Sequence, residues 1–159
     1  MKRHLILIRH AHRESDVPSR DNGLSEKGQA QVNRLVSYLS HRIDGKSARY
    51  LSSPKKRCLE TLGPIAKEMN AELEVDERLT ETSPIETHSQ LISRMDEFCD
   101  EWRYQGGELT VICSHGDYIP MMVERLTGAR IGLKKAGVVE IETLGSDCFL
   151  MSLVQKVGE

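Results

Sequence analysis

Apolar positions along the chain switch repeatedly between two periods. Leu5-Ile-Leu-Ile8 is an unbroken aliphatic run of strand length, the pattern of a strand buried on both faces. The polar stretch from His12 to Gly23 interrupts it and reads as a loop. Ser25 then stands as a helix N-cap ahead of Val32, Leu35, Val36, Leu39 and Ile43, which recur at helical spacing. Arg49 to Ser52 is a second short strand. Ser53-Pro54 reads as a cap followed by proline at the first helical position, with Cys58, Leu62, Ile65, Ala66 and Met69 as the inward stripe. Leu73 and Val75 suggest another short strand. Asp76 to Glu86 reads as a loop in which Ser83-Pro84-Ile85-Glu86 has capping-box spacing.

The third helical segment has the clearest period, with Leu91, Ile92, Met95, Phe98, Cys99 and Trp102 on one face and Gly106-Gly107 closing it. A strand from Leu109 to Ser114 follows, then a helix carrying Ile119, Met122, Val123 and Leu126. Val138–Leu144 and Phe149–Val154, joined by Gly145-Ser146-Asp147, read as a closing hairpin. The alternation predicts an α/β layered fold, with a mostly parallel central sheet flanked by helices and a C-terminal hairpin. No repeat, low-complexity tract or linker interrupts it, so one domain over residues 1–159 is expected.

Composition narrows the function classes. With 38% hydrophobic and 29% charged residues the chain has the make-up of a water-exposed globular domain. A net charge of −2 gives no global pull toward nucleic acid or an anionic membrane, so affinity for an anion must come from a local cluster. Aromatic residues make up 4%, too few for a stacking platform on single-stranded nucleic acid. Cys58, Cys99, Cys113 and Cys148 lie far apart without a paired spacing, which argues against a zinc knuckle. The apolar run after Lys2-Arg3-His4 is too short for a signal or membrane segment, so reduced thiols and a cytoplasmic setting are expected.

Two of the strands end in reactive groups instead of turn residues. The first finishes in Arg9-His10 and the fourth in His115-Gly116. Ligands of open α/β sheets bind outside the carboxyl ends of the strands. Arg57, on the first turn of the helix after Ser53-Pro54, adds a planar fork suited to phosphate. Two arginines and two histidines about one point would make a cationic pocket in a mildly acidic protein. A histidine there can act as nucleophile if its attacking nitrogen is unprotonated and the other nitrogen's proton is held. The remaining cations would neutralise a phosphoryl group in an in-line transition state. Glu81, in the loop between a strand and a helix, is the best-placed carboxylate to serve as acid for the leaving group.

Other candidates have plainer readings. His4, His10 and His12 alternate, yet no carboxylate or cysteine pattern completes a metal site. Arg13, Arg20, Lys55 and Lys56 read first as solvated surface and second as a widening of the anion pocket. His41 and His88 read as inert. Cys113 is expected to be a buried small hydrophobe, and Ser114 lacks the Gly-x-Ser-x-Gly setting of a serine nucleophile. The apolar residues around Ile131-Gly-Leu133 suit either core or interface.

Four blocks in order carry a family resemblance: Leu-Ile-Arg9-His10, Leu24-Ser-Glu-Lys-Gly28-Gln-Ala30, Ser53-Pro-Lys-Lys-Arg57-Cys-Leu-Glu-Thr61 and Ser114-His115-Gly116. Together they resemble the histidine phosphatase (phosphoglycerate-mutase-like) superfamily. The resemblance implies that His10 is the nucleophile that becomes phosphorylated. It also implies that Arg9 and Arg57 bind the phosphate, that His115 and Gly116 face it from the opposite side, and that Glu81 is the proton donor. No metal or organic cofactor is implied. The short chain leaves no room for the large cap of bigger members and looks most like the bacterial phosphohistidine phosphatases. Asp16, six residues after His10, fits those better than the mutases, and a substrate contact is expected there. The expected partner is a phosphorylated small molecule or a phosphohistidine protein, met in an open pocket.

One departure stands out: Ala11 occupies the place of the glycine in the family's Arg-His-Gly. Were that backbone to need positive φ or close approach, alanine would displace the His10 ring. A non-catalytic phosphate-binding module is therefore the main alternative. A phosphotransferase or mutase comes third, since it needs a site that keeps water out.

Overall fold

A computed structural model of the chain describes residues 1–15, 17 and 20–158. Its elements are β1 (His4–Arg9), α1 (Glu26–Ile43), β2 (Arg49–Ser52), α2 (Lys56–Glu68), β3 (Leu73–Val75), α3 (His88–Gln105), β4 (Leu109–Ser114), α4 (Ile119–Thr127), β5 (Val138–Leu144) and β6 (Asp147–Val154), with a 3₁₀ turn over Glu77–Leu79. They follow the order that the apolar pattern predicts. One six-stranded sheet has the order β3-β2-β4-β1-β5-β6. β4 lies parallel between β1 and β2, β2 pairs parallel with β3, and β5 pairs antiparallel with both β1 and β6. The chain is an α/β protein with a mostly parallel sheet and a C-terminal hairpin.

Strand alternation sorts the core into two layers. Ile6 and Ile8 of β1 pack with the buried stripes of α1 and α2, including Val32, Leu35, Leu39, Leu62 and Ile65. Leu5 and Leu7 face the opposite side, against Leu91, Met95, Phe98 and Trp102 of α3 and Ile119, Met122 and Val123 of α4. A strand covered on both faces has no polar side, hence the unbroken run. After β1 the chain leaves toward the first layer, and after β4 toward the second. The carboxyl ends of these two adjacent central strands therefore open a crevice between diverging connections.

Several boundaries differ from the sequence expectation. α2 is capped at Lys55 without a side-chain bond, two residues past Ser53; the Ser53 hydroxyl accepts from Lys55 N at 3.3 Å and also lies 2.8 Å from His115 Nε2. The capping box of α3 is Thr87 with Gln90, not Ser83 with Glu86. Ser83 instead closes a turn onto Glu86 N, and the Glu86 carboxylate is held by Arg94. The hairpin turn is Gly145-Ser146, with Asp147 already in β6. Leu133 is buried in the second layer and Ile131 packs against it, so that stretch belongs to the core. No helix among the described residues is long and apolar enough to cross a membrane.

Candidate active site

The parallel register carries the end of β1 alongside the end of β4. Arg9 pairs with Ser114, and the next residue, His10, donates its backbone N–H to Ser114 O at 3.1 Å. Ser53, just past β2, donates in the same way to Cys113 O. His10, His115 and Ser53 thus emerge side by side at one sheet edge. The two imidazoles sit with centroids 5.5 Å apart and planes tilted by 59°.

Hydrogen bonding fixes both tautomers. His10 Nδ1 lies 2.8 Å from Ala11 O. A carbonyl only accepts, so Nδ1 carries the proton and Nε2 keeps a lone pair. His115 Nδ1 lies 3.3 Å from Arg57 Nη2. A guanidinium only donates, which puts the His115 proton on Nε2, where Ser53 Oγ accepts it. Burial pushes the His10 pKa down to about 3, helped by the charges of Arg57, Arg9 and Lys135 and opposed by the Ala11 carbonyl. Burial, then Arg57, holds His115 down at about 2. Both rings are neutral at pH 7.

A cavity of about 230 Å³ opens over them, lined by Arg9, His10, Arg13, Arg57, Glu81, His115, Gly116, Asp117 and Lys135. Arg57 is 3% exposed, its Nη2 lies 2.5 Å from Glu81 Oε2, and its buried Nε finds no acceptor among the described residues. Arg9 donates from Nη1 to Leu133 O at 2.6 Å. Its guanidinium lies flat on Gly116, where a Cβ would stand 2.4 Å from Arg9 Cζ. Glycine is required there by contact, not by backbone conformation. Gly28 meets the same need in α1, where a Cβ would lie 2.1 Å from His12 O.

Supporting bonds hold the machinery from behind. Thr61 Oγ1 accepts from Ala11 N and donates to Arg57 O, which ties the peptide after His10 to α2. The loop carrying Glu81 is fastened three times. Ser114 Oγ donates to Leu79 O, Arg94 donates to Arg78 O and Glu81 O, and Thr82 donates to Asp117. Glu81 Oε2 also lies 3.8 Å from His115 Nδ1.

The structure therefore brings Arg9, His10, Arg57, Glu81, His115 and Gly116 to one cavity. Asp16 lies outside the described residues. Ala11 is fully buried, and its φ is not among the positive values, which occur at Asn70 and Ala136 outside glycine. One surface reading is corrected. Arg13 is 7% exposed, donates to Asn22 Oδ1 and two carbonyls, and lines the cavity. Lys55 places Nζ 3.8 Å from Glu81. His4 pairs with buried Glu140, and His12 faces Ser25 Oγ. Burial pushes the Cys113 thiol well up, and all four cysteines are free. Sequence reasoning missed Lys135, Asp117 and Arg94. A cation in an irregular segment and an arginine on a polar helix face give no periodic signal.

A family model described as "Histidine phosphatase superfamily (branch 1)" matches residues 5–84. A search among curated protein sequences found no match. Among solved structures, "Mycobacterial hydrolase 1" superposes with a TM-score of 0.81 at 18% identity, covering 99% of this chain and 100% of that one. Mycobacterial glucosyl-3-phosphoglycerate phosphatase gives 0.76 at 18% identity, with 98% and 100% covered. The protein histidine phosphatase SixA complexed with tungstate gives 0.76 at 17% identity, with 96% of each chain covered. At such identities the structural likeness is one of fold, while the sequence match spans half of the chain and includes Arg9, His10 and Arg57. The chain belongs to branch 1 of the histidine phosphatase superfamily.

Proposed function

We propose that the protein is a cytoplasmic phosphatase that hydrolyses a phosphomonoester, or phosphohistidine on a protein, through a covalent phosphohistidine at His10. The observation that carries this reading is the His10 ring, neutral and with its Nδ1 proton held by Ala11 O. That leaves Nε2 as a positioned nucleophile at the mouth of a cationic cavity.

In the first step Nε2 attacks phosphorus in line, the new N–P bond forms, and the bond from phosphorus to the leaving atom breaks, an ester oxygen in a phosphomonoester or an imidazole nitrogen in a phosphohistidine. Arg9, Arg57 and Lys135 neutralise the equatorial oxygens, with the orphaned Nε–H of Arg57 available as a donor. His115 and Gly116 form the facing wall. Glu81 passes a proton to the leaving oxygen or nitrogen. In the second step water attacks the phosphohistidine, Glu81 takes its proton, inorganic phosphate leaves and His10 regains its lone pair. Arg94 and Thr82 act as positioning residues for Glu81. Charge neutralisation in this scheme comes from arginine and lysine, so no metal ion is required. Asp16 is retained as a proposed substrate contact.

The recognition-module reading rested on Ala11. Its φ lies outside the left-handed region and its methyl group packs in the first core layer, so the backbone there suits alanine. Two of the superposed proteins are named as acting on glucosyl-3-phosphoglycerate and on protein phosphohistidine, which supports the same pair of substrate classes here.

Hydrolysis of an aryl phosphate in the presence of EDTA tests the scheme. Turnover is expected in the wild-type protein and no measurable turnover in His10→Ala. Normal activity in a clean His10→Ala preparation, or activity lost to EDTA, contradicts it.

A further inference from the structure

Ser53 stands behind the site, fully buried just past the end of β2. Its N–H is spent on Cys113 O, which fixes the residue to the sheet edge. Its Oγ accepts from Lys55 N at 3.3 Å and lies 2.8 Å from His115 Nε2. With the His115 proton on Nε2, both lone pairs of that oxygen are taken by donors. The hydroxyl's own hydrogen then has no acceptor among the described residues, and a buried donor left unmade is costly.

The other edge of the imidazole looks the opposite way. Nδ1 faces Arg57 Nη2 at 3.3 Å and Glu81 Oε2 at 3.8 Å, and both of those residues line the cavity over His10. In the free protein a bare Nδ1 suits the guanidinium, which only donates. A phosphoryl oxygen offers only lone pairs, so the same bare nitrogen would repel it. Burial, then Arg57, holds the His115 pKa down at about 2, which opposes uptake of a second proton. His115 becomes a donor without gaining charge if its one proton moves from Nε2 to Nδ1. Nε2 then needs a donor behind it, and a hydroxyl accepts or donates at the same distance by turning one hydrogen. Cys58 Sγ, at 3.6 Å from Nε2, is the weaker neighbour.

We propose that Ser53 is a positioning residue whose hydrogen bond to His115 reverses when phosphate binds. In the free protein His115 Nε2–H donates to Ser53 Oγ, and in the complex Ser53 O–H donates to Nε2. The inference rests on the phosphatase reading and adds to it how His115 meets the phosphoryl oxygens. In the complex His115 Nδ1–H and Arg57 both donate to phosphate, Nε2 receives the hydrogen that was unspent, and Lys55 N keeps its place on Ser53 Oγ. The exchange goes through water: one proton is taken up at Nδ1 and one is given back from Nε2, so the ring is neutral in both states.

Nitrogen NMR on protein carrying isotopically labelled histidine reads the tautomer directly, since protonated and bare ring nitrogens resonate far apart. Without ligand, His115 is expected to show a protonated Nε2 and a bare Nδ1. Saturation with inorganic phosphate is expected to exchange the two. In the phosphate complex of Ser53→Ala the bare Nε2 resonance is expected to move downfield of its wild-type position, because no hydroxyl donates to it. A phosphate-saturated protein whose His115 keeps its proton on Nε2, or carries protons on both nitrogens, overturns the proposal. So does an Nε2 resonance that Ser53→Ala leaves in place. Should that variant fail to fold, the two wild-type spectra decide. Hydrolysis of the aryl phosphate, measured on the same samples, separates this from a failure of the histidine chemistry. Turnover with an unmoved His115 proton overturns the switch alone. Exchange of the proton in a protein without turnover keeps the switch and overturns the phosphatase reading. Absence of both turnover and phosphate binding overturns the two together.

Discussion

Single atoms decide most of the chemistry at the residue scale. The Ala11 carbonyl selects the tautomer of His10, Arg57 and Ser53 select that of His115, and the missing Cβ of Gly116 lets a guanidinium lie against the backbone. Gly116→Ala therefore has a defined consequence. The new methyl group would overlap Arg9 Cζ and Nε, and Arg9 cannot swing away without giving up Leu133 O. Binding of phosphate or vanadate is expected to weaken by about tenfold, equivalent to about 1.4 kcal/mol, with little change in fold. Isothermal titration of vanadate measures this, and unchanged affinity removes Arg9 from the binding site. Arg9, His10, Arg57 and His115 were legible in the sequence because each stands at the end of a recognisable strand or helix. Lys135 was not, since its place is set by the strained Ala136 and no local pattern announces that. The doubt over Ala11 came from comparing letters, and it is resolved by a dihedral angle that letters do not contain.

At the element scale, order and type were readable and starting points less so. Periodicity reports which side of an element is buried, and it found the four α-helices and six strands of the described residues. Caps depend on one hydroxyl having no better partner. Ser53 Oγ serves both Lys55 N and His115, and α2 starts at Lys56, later than its Ser-Pro signal suggests. Ser83 has the spacing of a capping box, but its partner Glu86 is taken by Arg94. Thr87 does the capping, with reciprocal bonds to Gln90. Thr87→Ala is expected to cost about 1 kcal/mol of stability, and Ser83→Ala less than about 0.5 kcal/mol. Urea unfolding of the two variants checks the assignment, and the reverse order would return the cap to Ser83. The same loop positions Glu81, so its fastening by Arg94 and Ser114 links helix α3 to the proposed acid–base step.

For the whole molecule, the sheet order brings two strands distant in sequence together at a point where their connections diverge, and the histidines are buried there. That burial has a thermodynamic consequence. Both folded pKa values lie below the ordinary imidazole value of 6.5, at about 3 for His10 and about 2 for His115. Below about pH 6.5 the unfolded chain takes up protons that the folded protein refuses, so stability is full above that pH and falls as pH falls. Each histidine contributes a slope of at most about 1.4 kcal/mol per pH unit. Against the opposing cost of burial, Asp76 is held low by Arg78, Glu86 by Arg94, and Glu140 by His4 and Arg42, and these carboxylates add losses at more acidic pH. Urea midpoints measured between about pH 7 and about pH 4 are expected to decline, and His115→Gln should show a shallower decline than wild type. Parallel curves would mean that His115 is not buried neutral. The layered fold was visible in the alternation of periods. The bond between Ser53 and His115 was not, because it joins the ends of β2 and β4, which only the folded chain brings together.

The central claim is a covalent bond to one nitrogen atom. Rapid acid-free quenching during turnover of a radiolabelled phosphate ester, followed by peptide mapping, tests it most directly. A phosphoenzyme that is labile in acid and stable in alkali, located at His10 and missing from His10→Ala, is the expected result. Steady turnover with no phosphoenzyme trapped, or with the label on another residue, would contradict it.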